Sequence, residues 1–178
     1  MEHLNKYINI SNRLNFNLRT EQQRNQDYNG YYRNYDNLIC LVNLDESKLN
    51  KTYYNGETLE FKDSVKKTFI HELTHHLQHN DNKYFGMGLL GYRSDIHRNG
   101  IYAYNEIVAN TVAMLLYPTH DNINNNIWYV NFYVNKVNST HRNANKQAFN
   151  DRLNNDLKND IDKYYKIIKE QLELEGLL

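Results

Sequence analysis

The sequence predicts an α+β fold that is mainly α, with one small sheet. One short run, NLICLVNL at residues 37–44, is apolar, partly β-branched and bounded by aspartates, which is typical of a buried strand. Several longer stretches carry apolar side chains at spacings of three and four, which is the period of an amphipathic helix. Because there is no linker and no internal repeat, residues 1–178 are expected to form a single domain.

The first third of the chain contains one predicted helix and the predicted sheet. Residues 3–26 have apolar positions at helical spacing and predict a first helix, and residues 27–36 predict a turn and a short strand. The strand of residues 37–44 follows directly. Residues 45–62 are irregular, with a second short strand expected near the sequence TLEF.

A second helix is expected to begin at Asp63 or Ser64, either of which can cap it, and to continue to about His79. An apolar stripe runs along it, formed by Val65, Phe69, Ile70, Leu73 and Leu77. Residues 80–100 then contain four glycines and predict a long loop. Loops of this length inside a compact domain are usually functional or disordered.

The rest of the chain is predicted to be helical. A third helix covers about 102–117 and is stopped by Pro118. Residues 126–138 and 143–175 repeat the spacing of three and four, so they predict a C-terminal helical pair packed against the rest.

Charge, hydropathy and cysteine content narrow the class of protein. The 21 Lys and Arg residues balance 21 Asp and Glu residues, which argues against a broad basic surface for nucleic acid. No apolar run approaches the ~20 residues of a membrane span, and the N-terminus lacks the pattern of a signal peptide. Cys40 is the single cysteine and lies in an apolar run, so it is expected to be buried. These features together predict a cytoplasmic protein.

Residues 69–79, FIHELTHHLQH, contain an HExxH motif formed by His71, Glu72 and His75. Residues four apart lie on one face of a helix, about 6 Å apart, so both imidazoles can reach one zinc ion. Glu72 is expected beside the metal, where its carboxylate can accept a proton from water and pass it to a leaving group. The pattern therefore predicts a catalytic zinc site.

A catalytic zinc site takes three protein ligands and keeps a fourth position open. Glu106, on the helix that follows the long loop, is the best candidate for the third ligand. Ala109 and Ala113 flank it at helical spacing, and small residues let two helices approach closely. Asn110 lies one turn further on the same face, where it could orient a ligating histidine. His97 is the alternative third ligand.

The remaining histidines near the motif are weaker candidates. His76 is expected to point away from the metal and to lie at the surface. His79 could face the cleft, but it lies at the helix end, where a cation suits the helix dipole. His97 and His120 are expected in loops that could line the site.

With these residues in view, HELTHHLQH and the downstream NEIVAN resemble the gluzincin class of zinc metallopeptidases. More narrowly, residues 68–117 resemble the metallopeptidase domain of antirestriction (ArdC-type) and polyvalent proteins of phages and plasmids. In that family a helix of the form YxxxExxAxxxA follows the HExxH helix. Here the pattern is formed by Tyr102, Glu106, Ala109 and Ala113.

The resemblance implies a zincin-like domain with a small sheet, an HExxH helix, a third-ligand helix and a C-terminal helical pair. It implies zinc on His71, His75 and Glu106, with Glu72 as general base. Two features depart from the family. The 178 residues are too few to include the N-terminal single-strand DNA-binding domain of the ArdC type, and residues 80–100 match no pattern of the family.

The leading hypothesis is a zinc-dependent metallopeptidase acting on a protein or peptide, with Tyr102, Tyr104 or His97 stabilising the oxyanion. The alternative is an anti-defence or interaction protein of a mobile element that keeps a zincin fold and binds a host defence protein or nucleic acid. A third hypothesis is a structural zinc site without catalysis. Glu72 argues against it, because a structural site has no need of a carboxylate beside an open coordination position.

Overall fold

Helices make up most of the described part of the chain. A computed structural model describes residues 2–21, 30–42, 50–52, 58–82, 95–117 and 143–178. These residues form four helices and five short strands, so the fold is α+β and mainly α, as the sequence predicts. They fall into two compact units, of which the first comprises Met1–His76 with Lys166–Leu178 and the second Leu77–Tyr165.

All five described strands lie in the first unit, whereas the helices are divided between the two units. The helices are α1 (Glu2–Leu14), α2 (Phe61–Asn80), α3 (Asp95–Leu116) and α4 (Asn143–Leu174). The strands are β1 (Asn17–Glu21), β2 (Gly30–Arg33), β3 (Leu38–Val42), β4 (Asn50–Thr52) and β5 (Thr58–Glu60). One sheet has the order β1-β3-β2, with β1 parallel and β2 antiparallel to β3, and β4 pairs with β5 in a separate antiparallel ribbon.

The predicted buried strand is the central strand of the sheet. Every residue of β3 is buried, which is expected for an apolar strand with a neighbour on both edges. Cys40 lies between Arg19 of β1 and Tyr31 of β2 in the register and is fully buried, as predicted. Burial raises the pKa of the Cys40 thiol, and it also raises the pKa of Tyr31 to about 12.

The first helix is shorter than the sequence predicts. It ends at Leu14, and β1 follows where the helix was expected to continue to residue 26. Asn15 has a φ of 57°, and the Phe16 amide donates to the Ser11 carbonyl at 3.1 Å. This is the Schellman pattern that ends a helix. The helical prediction is therefore wrong for residues 15–21, because the chain leaves the helix at Asn15 and then pairs with β3, while residues 22–26 lie outside the described residues.

Asparagine takes the left-handed backbone conformation at three positions. Asn15, Asn37 and Asn82 are the non-glycine residues with positive φ in the described part of the chain. Asn15 and Asn82 follow the ends of α1 and α2, and Asn37 closes the turn between β2 and β3. Among residues with a Cβ, asparagine tolerates this region best, so part of the asparagine content has a structural use.

Two helices begin earlier than predicted. α2 starts at Phe61, shortly before Asp63 and Ser64, the two residues expected to cap it. α3 starts at Asp95, so the last six residues of the predicted loop are helical and include Gly100. An internal glycine costs a helix only ~1 kcal/mol relative to alanine, which is too little to end it here.

The core of the first unit lies between α1, the sheet and α2. The apolar stripe predicted on α2 is buried, and the Phe69 ring lies 4.6 Å from the ring of Tyr7 on α1. The C-terminal residues 166–178 also belong to this unit. Lys66 of α2 donates to the Leu177 carbonyl at 2.8 Å, and Leu172 is fully buried. Burying these side chains supplies the main stabilising term of the unit.

The second unit contains the end of α2, α3 and most of α4. α3 contributes a buried face formed by Ile107, Val108, Ala109, Val112, Ala113 and Leu116. Tyr164 of α4 is fully buried and donates from its hydroxyl to Asp81 at 2.8 Å, while Lys163 contacts the same carboxylate at 2.6 Å. The predicted helix at residues 126–138 lies outside the described residues. None of the described helices combines the length and the apolar character needed to cross a membrane.

Candidate metal centre

The HExxH residues converge on one face of α2. His71, Glu72 and His75 place their ligand atoms within 4.8 Å of one another, and this is the one such group of His, Cys, Asp or Glu in the described part of the chain. The Nε2 atoms of His71 and His75 lie 3.1 Å apart, and the two rings are perpendicular with centroids 4.7 Å apart. The helix itself produces this geometry, because residues four apart stack on one face.

The distance between the two ring nitrogens tests whether a metal ion fits. A tetrahedral zinc ion with Zn–N bonds of about 2.0–2.1 Å holds two nitrogen ligands about 3.3 Å apart. The observed Nε2 separation of 3.1 Å is close to that value, so small rotations of the rings suffice. Two imidazoles and a carboxylate are also donors that a divalent ion accepts. The group can therefore hold a metal ion.

The group is buried on one side and open on the other. Glu72 is 7 % exposed and His75 is 3 % exposed, whereas His71 is partly exposed. A carboxylate with so little contact with water is costly unless positive charge or hydrogen bonds offset its lost hydration. A cation between Glu72 and the two imidazoles would contribute such an offset, and the partial exposure of His71 gives solvent access to the group.

His76 is fully buried, so the expectation that it lies at the surface is wrong. Its Nε2–H donates to the Leu14 carbonyl at 3.1 Å, and its Nδ1 lies 3.2 Å from Asn37 Oδ1. Its ring centroid lies 5.1 Å from that of Phe16 and 5.8 Å from that of Tyr32. His76 therefore ties α2 to α1 and to the β2–β3 turn within the first unit.

A sequence signal for the burial of His76 exists. His76 follows Leu73 by three residues and Phe69 by seven, which places it on the apolar stripe of α2. Histidine is intermediate between buried and exposed residue types. Because it is polar, it was not counted as part of the apolar stripe.

Gly30 is a second residue of the site that the sequence did not reveal. It is the first residue of β2, and a Cβ at this position would lie 2.5 Å from Thr68 Cγ2 and 2.9 Å from the Cys40 carbonyl oxygen. The same point is 3.6 Å from Glu72 Cγ. A side chain at residue 30 would therefore stand beside Glu72 and would come too close to Thr68 and to the Cys40 carbonyl, so this approach of β2 to α2 suits glycine.

Glu106 and Asn110 lie in the second unit, one turn apart on α3. Glu106 is 8 % exposed and Asn110 is 4 % exposed, so neither is an ordinary surface residue. The Nδ2 atom of Asn110 has no hydrogen-bond partner among the described residues, which is uncommon for a buried amide. Their expected roles, as third ligand and as the residue that orients a ligand, stay predictions.

The structure places the residues expected to stabilise the oxyanion or line the site in different surroundings. The Tyr104 hydroxyl donates to the Asp160 carboxylate at 2.5 Å, and Asp160 is 3 % exposed. A role for Tyr104 in binding an oxyanion would require it to exchange that partner. His97 lies in the first turn of α3 and not in a loop, so its expected loop position is wrong, because the helix begins at Asp95. His120 lies outside the described residues.

Comparisons of this chain with protein-family models, with curated proteins and with solved structures find no match. The residues and their geometry therefore carry the functional proposal.

Proposed function

We propose that this chain is a zinc-dependent metallopeptidase of the gluzincin type, in which His71 and His75 bind zinc and Glu72 is the general base. The observation that carries this proposal is the 3.1 Å separation of the two Nε2 atoms, with the Glu72 carboxylate in the same group. Glu106 is proposed as the third ligand. Its burial beside Asn110, whose amide nitrogen has no partner among the described residues, supports that choice.

The proposed zincin-like architecture has support in each unit separately. In the first unit the three-stranded sheet lies beside α2, and in the second α3 carries Glu106. A small sheet, an HExxH helix and a third-ligand helix are the parts that such a domain requires.

The chemistry follows from the donor set. A bound zinc ion supplies Lewis acidity, because it polarises the carbonyl of a peptide bond and lowers the pKa of water. His71 and His75 bind through Nε2, so the hydrogen of each neutral ring resides on Nδ1. The Glu72 carboxylate takes a proton from the attacking water and delivers it to the nitrogen of the leaving group. The burial of Glu72 and His75 keeps bulk water away from this side of the group.

Replacement of Glu72 by glutamine tests the proposal directly. Glu72→Gln keeps the shape of the side chain and removes its ability to accept a proton. We expect native mass spectrometry to show the same zinc content as in the wild type, and hydrolysis of casein or a fluorogenic peptide mixture to fall about 10²–10⁴-fold.

His79→Ala is the matched control, because His79 is on the same helix and outside the group. It should keep both zinc and activity. Equal hydrolysis by Glu72→Gln and the wild type would refute the mechanism. A wild type that binds zinc and cleaves none of these substrates would refute the peptidase and favour an interaction protein with a zincin-like fold.

A further inference from the structure

Gly30 lies where the sheet comes close to Glu72, the general base of the proposed reaction. It lies at the start of β2, against the face of α2 that carries Thr68 and Glu72, which are four residues apart and therefore neighbours on the helix. The position where a Cβ would stand is 3.6 Å from Glu72 Cγ, which is ordinary van der Waals contact. The space that a side chain at residue 30 would fill therefore lies directly beside the Glu72 stem.

The position of this strand is restrained from two sides. A Cβ on residue 30 would come within 2.5 Å of Thr68 Cγ2 on the helix and within 2.9 Å of the Cys40 carbonyl oxygen on β3. The pairing of β2 with β3 holds the strand against the carbonyl, so it cannot move freely in that direction. Any side chain at residue 30 must therefore displace the strand or the helix.

We propose that Gly30 is a positioning residue: by lacking a side chain it leaves room for the Glu72 stem beside β2 and so keeps the carboxylate beside His71 and His75. This inference rests on the proposed function and extends it to a residue outside the HExxH motif. Gly30 acts through Glu72, because the side chain that it lacks would stand against the Glu72 stem. The spacing of His71 and His75 is set within α2 and does not depend on residue 30.

The size of the expected displacement follows from the contact distances. Carbon atoms pack at about 3.5–4.0 Å, so an alanine Cβ placed 2.5 Å from Thr68 Cγ2 requires a shift of about 1 Å. Misplacing a catalytic group by about 1 Å can lower turnover about 100-fold. Moving a carboxylate about 1 Å further from a divalent ion, at a separation of about 4–6 Å and an effective dielectric constant of about 20, lowers zinc affinity about tenfold.

A double-mutant cycle tests this inference without any need for hydrolysis. Zinc affinity is measured by competition with a chelator for the wild type, Gly30→Ala, Glu72→Gln and the double variant. If Gly30 acts through Glu72, Gly30→Ala should lower zinc affinity about tenfold when Glu72 is present and less than about 1.5-fold when it is glutamine. Equal losses in both backgrounds would overturn the inference, because Gly30 would then act on the fold as a whole.

Turnover supplies the second measurement. With the fluorogenic peptide mixture, Gly30→Ala should lower kcat about 100-fold and change KM less than about twofold. Thr68→Ser removes the methyl group that the new Cβ would meet. The double variant Gly30→Ala/Thr68→Ser should therefore recover at least about tenfold in kcat, with Thr68→Ser alone as the matched control. No loss in kcat or in zinc affinity for Gly30→Ala would overturn the inference.

If Gly30→Ala does not fold, the cycle is run in the Thr68→Ser background, where the closest remaining contact is the Cys40 carbonyl. The two proposals fail in different ways. A non-additive zinc cycle in a protein that hydrolyses nothing would keep the role of Gly30 and refute the peptidase. An additive cycle in an active peptidase would refute the role of Gly30 alone.

Discussion

His75 and His76 are neighbours in sequence, yet their rings lie on different faces of α2 and have different partners. His75 places its Nε2 3.1 Å from that of His71, in a group that also holds the Glu72 carboxylate. His76 faces α1 and the β2–β3 turn, where its Nε2 donates to the Leu14 carbonyl and its Nδ1 lies 3.2 Å from Asn37 Oδ1. Both histidines are buried, so burial does not separate them.

The difference shows that the partners of a histidine decide its role more than its position in a motif. A neutral imidazole has one N–H and one lone pair. His76 donates its Nε2–H to a backbone carbonyl and its Nδ1 lies 3.2 Å from the Asn37 side-chain oxygen, so both nitrogens face protein oxygen atoms and neither faces the metal-site residues. His75 and His71 direct the same type of atom at each other, which is the arrangement that a shared ion requires.

The largest effect that separates the two histidines is expected on zinc affinity. His75→Ala should weaken zinc binding by about 3–4 kcal/mol. In structural zinc sites four ligands together contribute about 10–16 kcal/mol, so one ligand accounts for roughly a quarter of that free energy. Chelator competition measures this change, and His79→Ala should leave the affinity unchanged. Wild-type affinity in His75→Ala would break the comparison, because His75 would then not be a ligand.

The next effect is on folding, and it should belong to His76 alone. His76→Phe keeps an aromatic ring of similar size against Phe16 and Tyr32, but it leaves the Leu14 carbonyl without its donor. We expect the free energy of unfolding of the metal-free protein to fall by about 2–3 kcal/mol, measured in urea.

His76→Gln sharpens this test, because glutamine supplies an amide donor in place of Nε2–H and should recover part of the loss. The zinc affinity of both variants should stay within about threefold of the wild type. A loss of zinc as large as that of His75→Ala would contradict the separation of roles.

The smallest effect concerns an exposed contact that α1 makes with Glu175. It involves Arg13, the residue before Leu14, whose carbonyl accepts the buried hydrogen bond from His76. Asn9 and Arg13 donate to the Glu175 carboxylate, and these bonds lower the pKa of that group. The charged form is therefore stabilised in the folded protein. Its contribution is present above the ordinary pKa near 4.5 and is lost as the pH falls through the lower folded value.

Glu175→Gln should lower the melting temperature at pH 7 by at most about 2 °C, because an exposed pair contributes little. The difference from the wild type should shrink as the pH falls below about 4.5 and disappear in strong acid. A difference that grows with falling pH would show that the depressed pKa of Glu175 is not what stabilises the fold.

The elements predicted correctly from the sequence are those whose apolar side chains recur at a short, regular spacing. The central strand β3, the stripe of α2 and the long α4 follow from patterns within a few neighbouring residues, and all three are present. It failed where a distant partner decides. The residues of β1 were assigned to a helix, and they form a strand because β3 lies beside them. Helix starts were misplaced because the ends of helices carry weaker signals than their middles.

The sequence by itself determined the group that can hold a metal ion, because the spacing of four within one helix is sufficient to bring His71 and His75 together. Only the tertiary structure decided the rest of the site. The burial of His76 depends on Leu14 and Asn37, and the requirement for Gly30 depends on Thr68. These partners are far apart along the chain, and local periodicity carries no information about contacts that folding alone creates.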